Sequence, residues 1–383
     1  MMRAALMAKG QVPVWGKDGL RRCWGVLWVC LALGVWLGGC GEQRQPPPDA
    51  VSVGVPGAGE DPGTPATGIV VIYEDPAGWR LSLHSSGTAA SMILPAAEYA
   101  AWNSGNWDPP TLTQRIYPYF QDVFDFFIFV SNNTTKPDGL YYGRSITVQN
   151  AIAGLGRSTY DNTPAYRAGG STQLQSVNHL TREDMVTRGP LLHEIAHRWG
   201  NFLLETVVSA HWGFSSIGGQ LGGWKHGTLR DLGSGEFQAD NGLTGRFGTN
   251  ANSGNSVPYG QFELYLMGLI GRAEVLDPIR VAKSPMWSDS SQGRFFASGF
   301  TDYTIADFPV RIPDETGAQK SFRGMVVMLT TTALTEFEWE NLLGDVQSFA
   351  LQGSDGQATL NNFWEATGGR ATLQLDGLDT VRF

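Results

Sequence analysis

Apolar runs of strand length recur along the chain, separated by glycine-rich and polar turns. Gly68 begins the run GIVVIYED, and residues 124–132 read FDFFIFVSN. Both are rich in β-branched and aromatic residues, so the pattern predicts two strands, the second buried on both faces. Further strand candidates are YYGRSITVQNAIAGLG (141–156), STQLQSVNHL (171–180) and SFRGMVVMLTT (321–331).

Helical spacing of apolar residues occurs between these runs. It is found in EYAAWNSGNW (98–107), in LTQRIYPYFQDVF (112–124) and near LTEFEWENLL (334–343). In the last of these, Thr335 and Glu338 have the spacing of a capping box, which predicts a helix start. Strands that alternate with helices in this way predict an α+β fold, with a mixed sheet covered by helices. No repeat of 20 to 50 residues is apparent, which argues against a solenoid or a propeller.

One further helix carries candidate chemistry, in the segment PLLHEIAHRWGNFL (190–203). Pro190 suits the first turn, and an apolar stripe follows at Leu191, Leu192, Ile195, Ala196 and Trp199. His193 and His197 then share a neighbouring face, with Cβ atoms about 5 to 6 Å apart. An i, i+4 pair of imidazoles is the donor set that a helix offers to zinc, and Glu194 between them would act as the general base.

The amino-terminal region predicts export. Five basic residues precede the short apolar run CWGVLWVCLALGVWLGG, which has the layout of a signal peptide. LGGC, residues 37–40, resembles the bacterial lipobox, in which the cysteine carries lipid. We therefore predict a lipoprotein signal peptide over residues 1–39, a lipidated Cys40 with a linker rich in proline and glycine over 40–67, and a folded domain over 68–383.

Composition narrows the chemistry of that domain. Cys23, Cys30 and Cys40 are the only cysteines, so residues 41–383 contain no disulfide and no thiolate ligand. Removing residues 1–39 takes five basic residues and one acid from a formal charge of −9, which leaves −13. A surface this acidic excludes nucleic acid as an expected partner.

A catalytic metal site needs a third protein ligand. In the metzincin pattern HExxHxxGxxH the glycine is present as Gly200, but Leu203 stands at the position of the third histidine. Leishmanolysin-type metzincins insert residues between the glycine and a third histidine that precedes a tryptophan. The chain resembles them in SAHWGF, where His211 precedes Trp212. The resemblance implies a two-lobed zincin-like fold, with an upper lobe of about 68–200 and a lower lobe of about 201–383, and implies His211 as the third zinc ligand.

The resemblance is incomplete. Leu221 stands in the glycine-rich turn GGQLGGW where a metzincin has methionine. The chain also resembles a group of secreted bacterial proteins over roughly residues 115–378, in HEIAHRWG, HW, ELYLMGL and ATGGRATL.

The third ligand has an alternative to His211. Gluzincins take a glutamate from a second helix as the third ligand, which makes Glu263 in FELYLMGLI the alternative. The lesser candidates are His226, Asp231, Glu236 and Asp240.

Two residues and one loop complete the candidate site. Tyr259 or Tyr265 is an expected donor to a developing oxyanion. The segment DNGLTGRFGTNANSGNS (240–256) has the small polar composition of a solvated loop beside the cleft.

Two functions fit these patterns. The first is a membrane-anchored zinc metalloendopeptidase with protein or peptide substrates. We expect this enzyme to be a monomer in the bacterial cell envelope, at the outer membrane or cell surface in preference to the inner membrane. The second is a non-catalytic lipoprotein that uses a zincin-like scaffold to bind a glycan or protein partner. Glu194 favours the first, because a purely structural zinc site has no use for a base and is usually closed by four protein ligands.

Overall fold

The computed structural model describes residues 38–39, 66–357 and 359–383. These residues belong to one compact unit, Leu37–Phe383. Cys40, most of the predicted signal peptide and nearly all of the predicted linker lie outside the described residues. Among the described residues, no helix is both long enough and apolar enough to cross a membrane.

The strands in chain order are β1 (Gly38–Gly39), β2 (Ile69–Glu74), β3 (Arg80–His84), β4 (Ala90–Ile93), β5 (Phe126–Ser131), β6 (Gly143–Thr147), β7 (Gln149–Asn150), β8 (Tyr160–Asp161), β9 (Ser176–Leu180), β10 (Arg230–Gly233), β11 (Glu236–Gln238), β12 (Ile279–Lys283), β13 (Met286–Asp289), β14 (Arg294–Phe296), β15 (Gly299–Tyr303), β16 (Ser321–Thr330) and β17 (Thr372–Gln374). The helices are α1 (Ala96–Asn103), α2 (Pro109–Ile116), α3 (Leu191–Ala196), α4 (Gln261–Met267), α5 (Glu336–Ala350) and α6 (Phe363–Ala366).

A mixed sheet forms the frame of the fold, in the order β1-β6-β9-β5-β16-β4-β3-β2, and β17 pairs with the start of β16. Strands β9, β5, β16 and β4 run parallel, whereas β6 lies antiparallel to β9, and β3 and β2 continue antiparallel on the other side. The predicted α+β class with a mixed sheet is confirmed.

Alternating side chains of the central strands enter two separate cores, because successive residues of a strand point to opposite faces. Phe126, Ile128 and Val130 join the core that contains α3, α4, α5 and α6. Phe127 and Phe129 join the other core, which contains residues of α1 and α2. The large sheet is therefore covered by helices on both faces, and the histidine helix packs on one of them.

A second, smaller β region lies between residues 229 and 303. Its four strands pair in the order β10-β11-β14-β13, and β12 pairs separately with β15. Aromatic side chains give it a core of its own, which contains Phe214, Trp224, Phe247 and Phe295. The sequence patterns did not predict these short strands.

The predicted elements match the structure at different levels of detail. The run 321–331 forms β16 and the run 124–132 forms β5, in which all six residues are buried. Helix α5 begins after Thr335, whose Oγ1 accepts a hydrogen bond from the Glu338 backbone N–H at 3.3 Å. The predicted helix over 112–124 is shorter, because α2 ends at Ile116 and a 3-10 turn with Pro118 follows.

The segment after residue 320 contributes to the large sheet. Strand β16 lies between β4 and β5, so residues of the predicted lower lobe occupy the centre of the sheet formed by the predicted upper lobe. The boundary of the two lobes near residue 200 stays a prediction. What the topology shows is one sheet built from both ends of the folded region.

Candidate metal centre

Helix α3 is short and its first turn is anchored by side chains from later in the chain. Leu191, Leu192 and Ile195 are fully buried in the core beneath the sheet. The Leu192 backbone N–H, one of the donors that a helix start leaves unsatisfied, donates to Oδ1 of Asn255 at 3.0 Å. The Tyr259 hydroxyl donates to the Leu192 carbonyl at 2.9 Å. The predicted apolar stripe is buried, and the histidine face points away from it.

His193 and His197 bring their ring nitrogens together on that face. Their Nε2 atoms lie 3.1 Å apart, and the two rings are perpendicular. Nδ1 of His193 lies 2.8 Å from the Gln220 carbonyl, so this nitrogen carries the proton and Nε2 keeps its lone pair. His197 has a hydrogen bond to the backbone of Gly200. His193 is therefore oriented by the backbone of a distant turn, and His197 by the backbone at the end of its own helix.

The chain returns to the pair at His211. Its ring centroid lies 5.3 Å from that of His193 and 5.0 Å from that of His197. Nδ1 of His211 lies 2.7 Å from the Ser209 carbonyl, which again leaves Nε2 for another partner. One ligand atom from each of the three histidines lies within 4.8 Å of the others. The three imidazoles can hold a metal ion.

A buried side chain organises the loop that returns His211. Oδ1 of Asn201 accepts from the backbone N–H groups of Leu203 and Leu204 at 3.1 and 3.0 Å. Its Nδ2 donates to the carbonyls of Leu204 and His211, both at 3.0 Å. Asn201 thus closes the insertion between Gly200 and the third histidine. Leu203, at the usual metzincin position, packs against the core.

The electrostatics of the three rings suit a metal ion. Burial lowers the pKa of His193 to about 3, and burial together with the neighbouring rings lowers the pKa of His197 well below its usual value. Burial also lowers the pKa of His211. The neutral rings offer lone pairs, and Nε2 of His211 is a buried atom without a hydrogen-bond partner among the described residues. Ligating histidines commonly donate their other N–H to a carbonyl, as His193 and His211 do here.

Glu194 lies against strand β6 of the large sheet. Its side chain is completely buried, and strand β6 packs against it. A Cβ atom added at Gly143, the first residue of β6, would lie 2.5 Å from Glu194 Oε1. The next residue, Arg144, lies near enough for its charge to interact with that of Glu194. The position of Glu194 therefore requires glycine at residue 143.

Glu263, the alternative third ligand, does not face the histidines. Its Oε1 accepts from Trp212 Nε1 and from the Leu221 backbone N–H, both at 2.8 Å. Its Oε2 accepts from the backbone N–H groups of Gln220 at 2.9 Å and Gly260 at 2.8 Å. Burial raises its pKa to about 6 against the opposing effect of these hydrogen bonds. The carboxylate is committed to four donors and lies outside the group of potential ligands.

The remaining candidates are also elsewhere. Within the described residues, His226, Asp231, Glu236 and Asp240 do not belong to a potential metal-binding group. Tyr259 is occupied by the Leu192 carbonyl, and the Tyr265 hydroxyl accepts from the Arg311 backbone N–H at 3.1 Å. Both hydroxyls contact backbone groups, and a role of either tyrosine toward an oxyanion stays a prediction.

The segment 240–256 is a solvated loop only in part, because residues 242–245 are exposed whereas other positions are buried. Asn252 and Asn255 are buried, and Asn252 Nδ2 donates to the carbonyls of Gly219 and Gly223, both at 2.9 Å. Asn255 holds the start of α3 and also donates to the carbonyls of Val186 and Thr187. These buried amides support the centre, and sequence reasoning missed them. Small polar residues give the same composition whether their amides bind water or backbone.

Gln220 is the other supporting residue that the sequence did not reveal. Its carbonyl orients His193, and its side-chain Nε2 donates to the carbonyls of Gly254 and Val257. The sequence held one sign of this role: Gln220 lies in a glycine-rich turn beside the apolar Leu221. If such a turn is buried, the glutamine amide needs hydrogen-bond partners within the protein.

Known proteins do not supply a further assignment. No protein-family model matches the chain, and neither a curated protein nor a solved structure is significantly similar to it.

Proposed function

We propose that the protein is a zinc-dependent metalloendopeptidase with the two-lobed architecture of a leishmanolysin-like zincin. One observation carries the proposal: three buried imidazoles converge, and the residue directly after the first of them is a buried glutamate. A donor set of three neutral histidines is typical of catalytic zinc sites, which leave a coordination position for water or substrate. The absence of cysteine from residues 41–383 makes a thiolate site in this domain unavailable.

The site residues would have separate roles in metal binding and catalysis. His193, His197 and His211 would hold zinc through their Nε2 atoms. When bound, zinc polarises a carbonyl and lowers the pKa of water. Glu194 would take the proton of the attacking water on its carboxylate and then pass it to the nitrogen of the leaving amine. Gly143 would keep the space that this carboxylate occupies.

The proposed location follows from the amino-terminal pattern. Cys40 would carry lipid and hold a monomeric enzyme in the bacterial cell envelope, at the outer membrane or cell surface. Its substrates would be proteins or peptides, which an extended linker would allow it to reach beyond the membrane surface.

Glu194→Gln tests the catalytic assignment. The full-length protein, solubilised in detergent, would be assayed on unfolded casein with and without a chelator, and its zinc content and melting temperature would be measured. We expect Glu194→Gln to keep the metal and the fold while turnover falls by about 10²- to 10⁴-fold, because the amide cannot accept the proton.

Glu205→Gln is the matched control, because Glu205 is an exposed acid on the loop after the helix. It should leave turnover unchanged. Full activity in Glu194→Gln would place the catalytic base elsewhere. A wild-type protein that binds zinc but cleaves no peptide bond would favour the non-catalytic scaffold that binds a glycan or protein partner.

A further inference from the structure

Glu263 is a buried acid near the histidines whose carboxylate accepts several hydrogen bonds. It lies on α4 and is 3% exposed. Its two oxygens accept four hydrogen bonds at 2.8 to 2.9 Å, and all four donors are N–H groups. Among the described residues, none of the salt bridges includes Glu263. The charge is compensated by oriented dipoles and not by a cation.

Two of these hydrogen bonds lead to two different histidines. Trp212 Nε1 binds Oε1, and Trp212 directly follows His211 in the chain. The Gln220 backbone N–H binds Oε2, and the carbonyl of the same residue orients Nδ1 of His193. One carboxylate therefore joins the segment that supplies the third imidazole to the turn that orients the first.

The surroundings leave little freedom for this arrangement. A Cβ atom added at Gly219 would lie 2.1 Å from Glu263 Oε2, so the turn approaches the carboxylate as closely as glycine allows. The Trp212 backbone N–H donates to the Leu221 carbonyl at 2.8 Å, and Leu221 itself donates to Glu263. Glu263 also caps the start of α4 through the Gly260 backbone N–H, and an apolar residue at this position would leave four buried N–H groups without an acceptor.

We infer that Glu263 is a positioning residue of the metal centre, which fixes the donor orientation of His193 and the location of His211. It touches neither the expected metal nor the substrate, and acts through Gln220 and Trp212. The inference rests on the proposed metal site, but it does not depend on peptidase activity.

Metal binding by the full-length protein tests this inference. Metal-free protein would be titrated with Co²⁺, whose d–d absorption reports ligand geometry, and Zn²⁺ affinity would be measured in competition with a chromophoric chelator. In Glu263→Gln the amide NH₂ would face two N–H donors, so the turn would shift. We expect Zn²⁺ affinity to fall by about 10- to 100-fold, the usual effect of losing an outer-sphere partner, and the Co²⁺ spectrum to change.

Glu338→Gln is the matched control. Glu338 is another helix-capping glutamate, which accepts from the Thr335 backbone N–H and from Asn132 Nδ2 and lies outside the metal centre. Its replacement should lower the melting temperature but leave the Zn²⁺ affinity and the Co²⁺ spectrum as in the wild type. Wild-type affinity and spectrum in Glu263→Gln would overturn the positioning role.

Trp212→Phe supplies a second route if Glu263→Gln does not fold. It keeps a smaller aromatic ring at this position but removes one donor to Oε1, and it should change the Co²⁺ spectrum and weaken Zn²⁺ binding several-fold. Unchanged values would again overturn the inference. A wild-type protein that binds neither metal would contradict both the metal centre and the positioning role of Glu263. Metal binding without proteolysis would contradict only the proposed peptidase activity and would not affect the positioning role.

Discussion

Each histidine of the centre gives one ring nitrogen to the protein and turns the other toward its neighbours. His179 shows the contrast. Its Nδ1 receives the Arg144 Nε–H at 3.1 Å, and its Nε2 pairs with Ser131 Oγ at 2.9 Å. Both nitrogens of His179 are used by the fold, whereas Nε2 of His211 is buried without a protein partner among the described residues. This contrast makes His211 a better ligand candidate than His179.

His211→Ala should therefore reduce metal affinity as severely as His197→Ala. Removing one of three protein ligands leaves two, and we expect Zn²⁺ to bind at least about 100-fold more weakly, beyond the effect of losing an outer-sphere partner. Equilibrium competition with a chelator measures this loss. His226→Ala is the control, since His226 lies outside the ligand group, and equal affinities for His226→Ala and His211→Ala would contradict the assignment.

At the scale of the element, α3 is too short to be stable by itself. Its six residues cannot supply the hydrogen bonds that make an isolated helix persist. The Asn255 side chain binds the Leu192 N–H and two carbonyls that precede the helix, and the Asn255 backbone N–H donates to the Gly189 carbonyl at 3.0 Å. The helix start is therefore fixed by a residue that lies outside the helix and its flanking segments.

Asn255→Ala should cost about 2 to 4 kcal/mol of unfolding free energy, because it leaves buried backbone groups without partners. Chemical denaturation of the full-length protein measures the change. Asn250→Ala lies on the same segment, where Asn250 is only partly buried, and should cost about 0.5 kcal/mol or less. Similar losses in the two variants would show that Asn255 is not a specific anchor of α3.

The same element explains what the sequence could and could not predict. The strands β5 and β16 were recognisable because their apolar runs are buried on both faces, and α5 was recognisable from its capping box. The pair on α3 follows from local helix geometry. The choice between His211 and Glu263 does not, because each depends on where a distant segment folds back. Glu263 lies close to the site, but its oxygens are taken by N–H groups that sequence spacing does not reveal.

At the scale of the molecule, the acidic domain and the lipobox-like segment make a connected prediction. If the chain is cleaved before Cys40, its formal charge becomes −13 and it gains little from anionic membrane surfaces, so we predict that attachment comes from lipid. Acyl chains contribute roughly 0.8 kcal/mol for each buried methylene group. We therefore expect Cys40, and no surface patch, to determine where the protein resides.

Cys40→Ser should release the protein into the soluble fraction or stall it as an unprocessed precursor. Cell fractionation and mass spectrometry of the mature amino terminus distinguish these outcomes from normal processing. Cys30→Ser should still be lipidated, because Cys30 lies within the apolar run. A wild-type protein whose mature chain begins elsewhere and stays soluble without detergent would refute the anchor.

The place of β16 in the sheet sets the order in which the chain can fold. Its two neighbours, β4 and β5, lie within residues 90–131, whereas β16 itself ends at Thr330. Parallel pairing across such a separation closes late, since the loop entropy must be lost before the contacts form. Until β16 arrives, β4 and β5 lack the strand between them, and the early segments cannot complete their core. We therefore expect a chain that emerges residue by residue to stay unfolded until most of it is available, which would suit the proposed export across a membrane.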